Sequence, residues 1–360
     1  MAAFTFTNNT YAGEVLEDLL VYTTHGNDTY QAGLIHVVPG IQKKKALPSI
    51  TLGEIIQDNI PTPRQASGSD LSADSKGAYT ITERYLEPQD FMVYLEFNPR
   101  DFEEYWRPFQ PEGALIFREL DPKVQAKMLR LLIDKKDQYI NDSIWCGRKG
   151  GVDASTVTTP SGGTDLGGLT SAGPMKYFDG AVARVLTNIA ASTAAEPSTA
   201  QKAEKASGEV ILAGDATLAD GEAVEAALYA MWKKCPKNVR KNSALKFIMS
   251  WEDWDKYDEY LTAKDFKYVE NPDVNHRRFK GKQIVVIDGI PEHTIMLGKF
   301  NTGMDSCLWM GVDYAGDEDA IKVERLQANS ELYFFQMRLK MDVNIVLPGE
   351  IVVWTAYKNK

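Results

Sequence analysis

The sequence is poor in cysteine and histidine, with three cysteines and four histidines among 360 residues. Cys146, Cys235 and Cys307 lie far apart and form no CxxC pair. An odd number of isolated cysteines argues against a disulfide framework or a zinc site, and it fits synthesis in a reducing compartment. His276 and His293 have no metal-ligand spacing around them, so we interpret both as structural. We therefore expect no bound metal.

The chain also lacks long apolar runs, surplus positive charge and nucleotide-binding motifs. No segment approaches the roughly 18–20 apolar residues of a membrane span, and the N-terminus lacks the pattern of a secretory signal. The net charge of −10 disfavours a nucleic-acid groove. The glycines of 147–173 form neither a phosphate-binding P-loop nor a dinucleotide-binding fingerprint. We expect no cofactor and no membrane contact.

Acidic side chains are plentiful, but none stands in a pattern that predicts catalysis. The helical stretch 251–261 carries five carboxylates, those of Glu252, Asp253, Asp255, Asp258 and Glu259. Paired carboxylates serve acid–base chemistry in enzymes, yet no nucleophile or apolar pocket is indicated nearby, so a solvated helix face is the better interpretation. The acidic turn 316–319 lacks the spacing of a calcium loop. We expect a protein that is not an enzyme.

The longest helix is predicted over 121–147. Asp121 suits the cap and Pro122 the first helical position, while apolar residues recur at helical spacing as far as Ile144. Gly147 is a candidate left-handed stop. At ~1.5 Å per residue the helix spans roughly 35–40 Å, which is the breadth of a domain.

Extended segments precede this helix. Residues 1–48 alternate turn formers with short β-prone pieces, the clearest at 33–38. After the polar loop 63–77, the segments beginning at Tyr79 and Phe91 alternate apolar and polar residues, which predicts a two-stranded ribbon with a flexible tip. A lone ribbon is marginally stable in water, so it needs a surface on its own subunit or on a neighbouring chain.

Beyond the helix, a glycine-rich loop, a helix at 175–190 and a low-complexity linker or insertion lead to a compact α/β lobe at 209–310. The last fifty residues read as strands. Residues 333–345 alternate strictly, which predicts a long half-buried strand. We expect 350–354 to return as its partner, and the apolar stripe of helix 121–147 to cover its apolar face.

In this order of segments the chain resembles the major capsid proteins of tailed bacteriophages, which share the Hong Kong 97 capsid fold. The similarity covers essentially the whole chain and is carried by the order of segments and by local patterns. The helix that ends in IWCG resembles the spine helix, and KYFDGAVARVL resembles the FDG segment that often follows it. FKGKQIVVIDGIP is similar to a strand of the axial domain, and RLQANSELYFFQMRLKMDVNIVLPGEIVVW to the closing strands of the peripheral domain.

The resemblance implies an α+β fold of the Hong Kong 97 type. It divides the chain into an N-terminal arm, an extended β-hairpin loop, a peripheral domain whose long spine helix lies on a long-stranded sheet, and an α/β axial domain. The implied bounds are 1–48 for the arm, 49–98 for the extended loop, 99–208 and 311–360 for the peripheral domain, and 209–310 for the axial domain.

The function implied is that of a structural shell protein that assembles into pentamers and hexamers around double-stranded DNA, in the capsid of a virion. Implied partners are other copies of the chain and separate scaffold, portal and decoration proteins, with assembly in the host cytoplasm and no sequence-specific DNA contact. Expected contact residues between subunits are Arg64, Tyr79, Ile81, Tyr85, Phe91, Val93, Leu95, Ile35 and Val37.

The sequence departs from the family pattern in two respects. It shows no long N-terminal scaffolding segment, so we expect a separate scaffold or a previously processed chain. Lys76 lies near the ribbon, but no asparagine partner or acidic catalyst is identifiable, so we expect no isopeptide cross-link between subunits.

Two alternatives stay open at this stage. An encapsulin-type nanocompartment shares the fold and is distinguished by a protein cargo in place of DNA. From a different class, a soluble enzyme or a carbohydrate-binding protein would use the aromatic residues of 251–260 as a sugar platform. Their helical spacing favours core or interface packing instead.

Overall fold

A computed structural model describes residues 9–10, 28–52, 55–56, 79–98, 122–149, 157–158, 176–195, 198–206, 208–263, 277–313, 321–327 and 332–359. Arg64, Lys76, His276, the polar loop 63–77 and the acidic turn 316–319 lie outside these residues, as does most of the glycine-rich stretch 147–173.

Seven α-helices are found in the described part of the chain. They are α1 (Asp28–Gln31), α2 (Pro122–Cys146), α3 (Ala181–Thr193), α4 (Thr199–Ala206), α5 (Gly221–Lys234), α6 (Lys237–Arg240) and α7 (Trp251–Ala263). The 25-residue α2 confirms the long helix predicted over 121–147.

The strands of the described residues are mostly short, apart from one of 13 residues. They are β1 (Asn9–Thr10), β2 (His36–Val38), β3 (Lys45–Leu52), β4 (Tyr79–Leu86), β5 (Gln89–Phe97), β6 (Val157–Thr158), β7 (Ile211–Gly214), β8 (Leu245–Met249), β9 (Arg278–Phe279), β10 (Lys282–Val286), β11 (Thr294–Lys299), β12 (Leu308–Val312), β13 (Ile321–Arg325), β14 (Tyr333–Ile345), β15 (Val352–Thr355) and β16 (Lys358–Asn359).

The first sheet is built around β14. Its order is β1-β13-β14-β12-β2, and β5 also pairs with β14. The long strand predicted at 333–345 is therefore confirmed, but its half-buried alternation holds only for the first half, because Asp342 and Asn344 are buried as well. Along β14, Tyr333, Phe335 and Met337 are buried while Arg338 is exposed, as a half-buried strand requires.

The second sheet has the order β7-β15-β11-β8-β10-β9. The predicted pairing of 350–354 with 333–345 is wrong, because β15 pairs with β11 and β7 of this second sheet. Val352 and Val353 are adjacent and both fully buried. Neighbouring residues of a strand point to opposite faces, so two buried valines in succession need a strand that is covered on both sides. β15 lies between β7 and β11 in the second sheet, with Val352 and Val353 in different hydrophobic cores.

A helix other than the predicted one covers β14. The expectation that the 121–147 helix lies directly on this strand is wrong in that respect: α3 packs against β14, and α2 packs against α3. Arg184 of α3 donates to Val343 O at 3.3 Å. Ile144 of α2 shares one continuous core with Val182 of α3 and Val343 of β14. The sequence of α3 is mostly apolar, which suits a helix that is buried between α2 and β14.

The ribbon is formed by β3 and β4, which pair antiparallel from Lys45 opposite Leu86 to Leu52 opposite Tyr79. Our prediction that the segment from Phe91 forms the second strand of the ribbon is wrong. That segment is β5, which pairs with β14 along its whole length. The 13 residues of β14 offer a longer and more apolar partner than the ribbon does.

Gly147 ends α2, but its backbone is not left-handed as predicted. Its role is close packing with Gly180, the glycine of the FDG segment. Gly180 N–H donates to Gly147 O at 2.8 Å. A Cβ atom on Gly180 would lie 2.7 Å from Ser143 O and 2.8 Å from Gly147 N, which is far inside van der Waals contact.

Gly180→Ala is therefore expected to lower the free energy of unfolding by about 1–3 kcal/mol, because backbone must move to admit the methyl group. Gly349→Ala is the matched control, since a Cβ atom there meets nothing within 4 Å. Urea denaturation of both variants measures the difference. Equal stability of the two variants would contradict this view of the α2–α3 junction.

Candidate subunit interface

One face of the ribbon exposes apolar side chains. Tyr79, Ile81 and Tyr85 alternate along β4, and their side chains are 75%, 64% and 40% exposed. Ile50 of β3 lies directly opposite Ile81 and is 65% exposed. Apolar side chains at alternate positions share one face of a strand pair, so these four residues form a patch on one face, in which the exposed Glu83 lies between Ile81 and Tyr85. We call this patch the ribbon face.

Polar groups border the ribbon face near the base of the ribbon. The ammonium of Lys44 lies 3.8 Å from the centre of the Tyr85 ring, a cation–π contact. The Tyr85 hydroxyl donates to Glu83 Oε2 at 2.6 Å, and this bond raises the pKa of Tyr85 above its ordinary value. Lys43, Lys44 and Lys45, where β3 begins, are all exposed. An apolar centre with a charged rim is the composition of many protein–protein contacts.

The opposite face of the ribbon is anchored at its base. Leu47 and Leu86 are buried with Val38, Ile41 and Val346 in a small core between the ribbon and the first sheet. Arg84 lies on this side as well and is only 7% exposed. Burial lowers the pKa of Arg84, and the neighbouring carboxylate of Glu204 partly offsets that effect. The ribbon is therefore fixed at one end and exposed along its other face.

The structure places the predicted contact residues in three different environments. Tyr79, Ile81 and Tyr85 form the ribbon face together with Ile50, which the sequence analysis missed. On β5, Leu95 is 40% exposed, Val93 is half-buried, and Phe91 is half-buried with its ring stacked on Tyr177 at 5.3 Å.

The remaining three predicted contact residues are Ile35, Val37 and Arg64. Ile35 is 1% exposed and packs in the core of its own subunit. Val37 is half-buried and packs against the same core. Arg64 lies outside the described residues. The alternation of 45–52, which reads as strand with Ile50 on the face of Ala46, was the available signal for Ile50.

A second polar cluster lies where α7 meets the turn before β11. Asp253 is fully buried, and its Oδ2 accepts from Ser250 Oγ at 3.0 Å and from His293 N–H at 2.9 Å. Ser250 Oγ in turn accepts from Asp253 N–H at 3.2 Å, as an N-cap does. The hydrogen bond from His293 N–H to Asp253 Oδ2 holds His293, whose φ is +63°.

The carboxylates of this cluster already have a cation beside them. Asp253, Glu292 and His293 offer ligand atoms within 4.8 Å of one another, which is close enough for a metal ion. The Lys256 ammonium, however, lies 2.5 Å from Glu292 Oε1 and 3.9 Å from Asp253 Oδ1, and it donates to Leu218 O at 3.0 Å. We therefore interpret the cluster as a structural cap of α7.

Burial raises the pKa of Asp253 to about 6, although Ser250, Lys256 and His293 each oppose the shift. A folded-state pKa above the unfolded value means that folding binds a proton. The resulting stabilisation is complete below the unfolded pKa and is lost as the pH rises through about 6. Burial lowers the pKa of His293, so the contribution of His293 to the free energy of unfolding increases as the pH rises.

The free energy of unfolding of the wild type, relative to Asp253→Asn, is therefore expected to rise by about 1 kcal/mol between pH 7.5 and pH 5. The variant keeps His293 and an acceptor oxygen, so the difference between the two proteins isolates the Asp253 carboxyl. Urea denaturation at both pH values gives this difference. A difference that does not change with pH would show that Asp253 ionises normally.

The rest of α7 agrees with two predictions, the exposure of most of its carboxylates and the core packing of its aromatic residues, and corrects one. Glu252, Asp255, Asp258 and Glu259 are exposed as predicted, whereas Asp253 is buried. The aromatic residues do not form a sugar platform, because Trp254 and Tyr257 belong to the core of the second sheet. Trp251 is 41% exposed, and the guanidinium of Arg277 lies 4.7 Å from the centre of its ring.

Cys146, Cys235 and Cys307 are buried as free thiols at separate places in the structure. Among the helices of the described residues, none is both long enough and apolar enough to cross a membrane.

No family model and no curated protein matches the sequence. Solved structures do match it. The capsid asymmetric unit of cyanophage A-1(L) is 15% identical, with coverage of 91% of this chain and 92% of that chain and a TM-score of 0.53. The capsid of a native GTA particle is 11% identical, with coverage of 97% and 93% and a TM-score of 0.51. A virus-like particle from Pyrococcus furiosus matches with 10% identity, coverage of 94% and 96%, and a TM-score of 0.39, and so weak a likeness supports no conclusion.

The chain has the Hong Kong 97-type fold of tailed-phage major capsid proteins. The α+β fold class and the resemblance seen in the sequence are thus confirmed. At identities this low the likeness defines the fold only, and the division into arm, extended loop, peripheral and axial domains keeps the status of a prediction.

Proposed function

We propose that this protein is a structural capsid subunit that assembles into pentamers and hexamers, and that these form an icosahedral or prolate head shell around phage double-stranded DNA. The ribbon face is the observation that carries the proposal. Four apolar side chains lie exposed on a strand pair that is fastened to its subunit by the opposite face. The capsid fold of the chain supports the same conclusion.

Leaving the ribbon face in water is unfavourable. Burying one large apolar side chain contributes about 1.5–3 kcal/mol, and two of the four residues here are aromatic. A second copy of the chain is a suitable cover, because a contact between two different patches of identical subunits closes into rings when the rotation permits. Five-membered and six-membered rings from one sequence require such a contact.

In this proposal the protein acts without catalysis and without a cofactor. Its partners are sister copies, with separate scaffold, portal and decoration proteins, and it resides in the virion capsid after assembly in the host cytoplasm. The net charge of −10 suits an inner wall that contacts DNA weakly and without regard to sequence. Tight, salt-sensitive DNA binding by purified subunits would contradict this part of the proposal.

Sedimentation velocity and electron microscopy of the purified full-length protein test the proposal. The expected result is closed shells of uniform size, with or without an added scaffold, and without a co-purifying protein cargo. Shells filled with a specific host protein would favour the nanocompartment alternative. A stable monomer at all concentrations and salt conditions would overturn the proposal.

A further inference from the structure

The base of the ribbon is fastened by a buried arginine. Arg84 faces away from the ribbon face, and its Nη1 donates to Ile345 O of β14 at 3.0 Å. Its Nη2 donates to Glu204 Oε1 at 2.5 Å, and the two side chains are 8% and 29% exposed. This bond joins the ribbon to α4, 120 residues later in the chain.

Helix α4 is itself held in place. Its composition is that of a low-complexity linker or insertion, but Ser198 and Gln201 form a reciprocal cap at its start. Ser198 N–H donates to Gln201 Oε1 at 2.8 Å, and Gln201 N–H donates to Ser198 Oγ at 3.3 Å. Asn188 of α3 is 1% exposed and donates to Glu204 Oε1 at 3.0 Å. The Glu204 carboxylate, which accepts the hydrogen bond from Arg84, is therefore oriented by the buried side-chain amide of Asn188.

Two neighbouring bonds hold the next turn of the chain. Asn344 Nδ2 donates to Tyr85 O at 2.8 Å, and Glu87 N–H donates to Asp342 Oδ2 at 2.8 Å. Arg184 of α3 donates to Asp342 Oδ1 at 3.2 Å. These bonds fix the connection between β4 and β5. The bond from Arg84 to Glu204 lies one residue farther along β4, toward the free end of the ribbon at Tyr79.

We propose that α4 is a clamp on the ribbon, in which Glu204, oriented by Asn188, sets the direction in which the ribbon leaves the subunit. The helix is thereby a positioning element for the contact between copies, and this role rests on the proposed function. The clamp itself is a property of the single subunit.

The electrostatics of Arg84 explain why one carboxylate has this effect. A buried charge that loses its partner is strongly unfavourable, because the group is no longer solvated and no longer compensated. Without Glu204, the guanidinium regains solvation only by moving outward. Arg84 is part of β4 and keeps Ile345 O as an acceptor, so the loss of the compensating carboxylate weakens the attachment of the ribbon to its subunit.

Hydrogen exchange of unassembled full-length subunits tests the clamp. Glu204→Ala is expected to speed exchange in residues 79–86 and 45–52 by roughly tenfold or more, while exchange in β8 and β11 of the second sheet stays unchanged. Glu204→Gln keeps an acceptor oxygen and loses the charge, so an intermediate effect is expected. Glu209→Gln is the matched control, because Glu209 pairs only with the exposed Lys205, at 3.3 Å, among the contacts described.

Shell formation by the same variants provides the second readout. Glu204→Ala is expected to give fewer and less uniform particles than the wild type, and Glu209→Gln to behave as the wild type. Ribbon exchange that is unchanged in Glu204→Ala overturns the clamp, and if that variant does not fold, unchanged exchange in Glu204→Gln does so. Failure of the wild type to form shells would overturn the proposed function and leave the exchange result standing.

Discussion

Ile81→Glu is expected to abolish closed shells while leaving the subunit folded. Ile81 is 64% exposed in the subunit and lies at the centre of the ribbon face, opposite Ile50. In a shell, the proposed contact would bury the new carboxylate against apolar groups, which costs several kcal/mol per contact. The cost recurs in every subunit, so assembly fails as a whole. Sedimentation velocity and electron microscopy measure the loss of shells, and thermal unfolding of the free subunit measures its stability.

Two further variants make this result specific. Met304→Glu introduces the same charge at a side chain that is 81% exposed on the turn before β12, which is not part of the ribbon face, and is expected to assemble normally. Ile81→Thr keeps the β-branched shape and is expected to weaken assembly only in part. Normal shells from Ile81→Glu would contradict the proposed contact. If Ile81→Glu fails to fold, Ile81→Thr decides the question.

Trp145→Ala is expected to lower the free energy of unfolding by about 3–5 kcal/mol, the usual cost of emptying a buried tryptophan site. Trp145 is fully buried near the end of α2. Its indole N–H donates to Thr29 Oγ1 at 2.8 Å, and the Thr29 hydroxyl donates to Asn141 Oδ1 at 2.6 Å. The substitution therefore opens a cavity and also weakens the attachment of α1 to α2. Urea denaturation gives the size of the loss.

Trp251→Ala is the matched control for this prediction. Trp251 is 41% exposed, so its removal is expected to cost far less than removal of Trp145. Trp145→Phe keeps much of the volume and loses the hydrogen bond to Thr29, so its effect should lie between the two. Equal losses at positions 145 and 251 would contradict the core assignment.

The local elements were predictable because their signals lie within a few turns of chain. The apolar period defined α2, whose predicted cap Asp121 lies outside the described residues, and alternation defined the first half of β14. The pairing of strands was less predictable. Alternation specifies which side chains share a face, but it does not specify which distant strand lies alongside. For that reason β5 was assigned to the ribbon and β15 to β14, and both assignments were wrong.

The candidate interface was predictable in part for the same reason. Tyr79, Ile81 and Tyr85 alternate in a segment with no apolar partner nearby, whereas the short apolar run at Ile35 carries no sign that its own subunit covers it. Glu204 was missed because the composition of 192–209 resembles a linker or insertion. The cap formed by Ser198 and Gln201 was the local signal that this segment begins a helix.

Cryo-electron microscopy of the assembled particle tests the central claim most directly. We expect Ile50, Tyr79 and Ile81 of each subunit to contact a neighbouring copy and to be buried there. A particle in which these side chains stay in solvent, or fold back onto their own subunit, would contradict it.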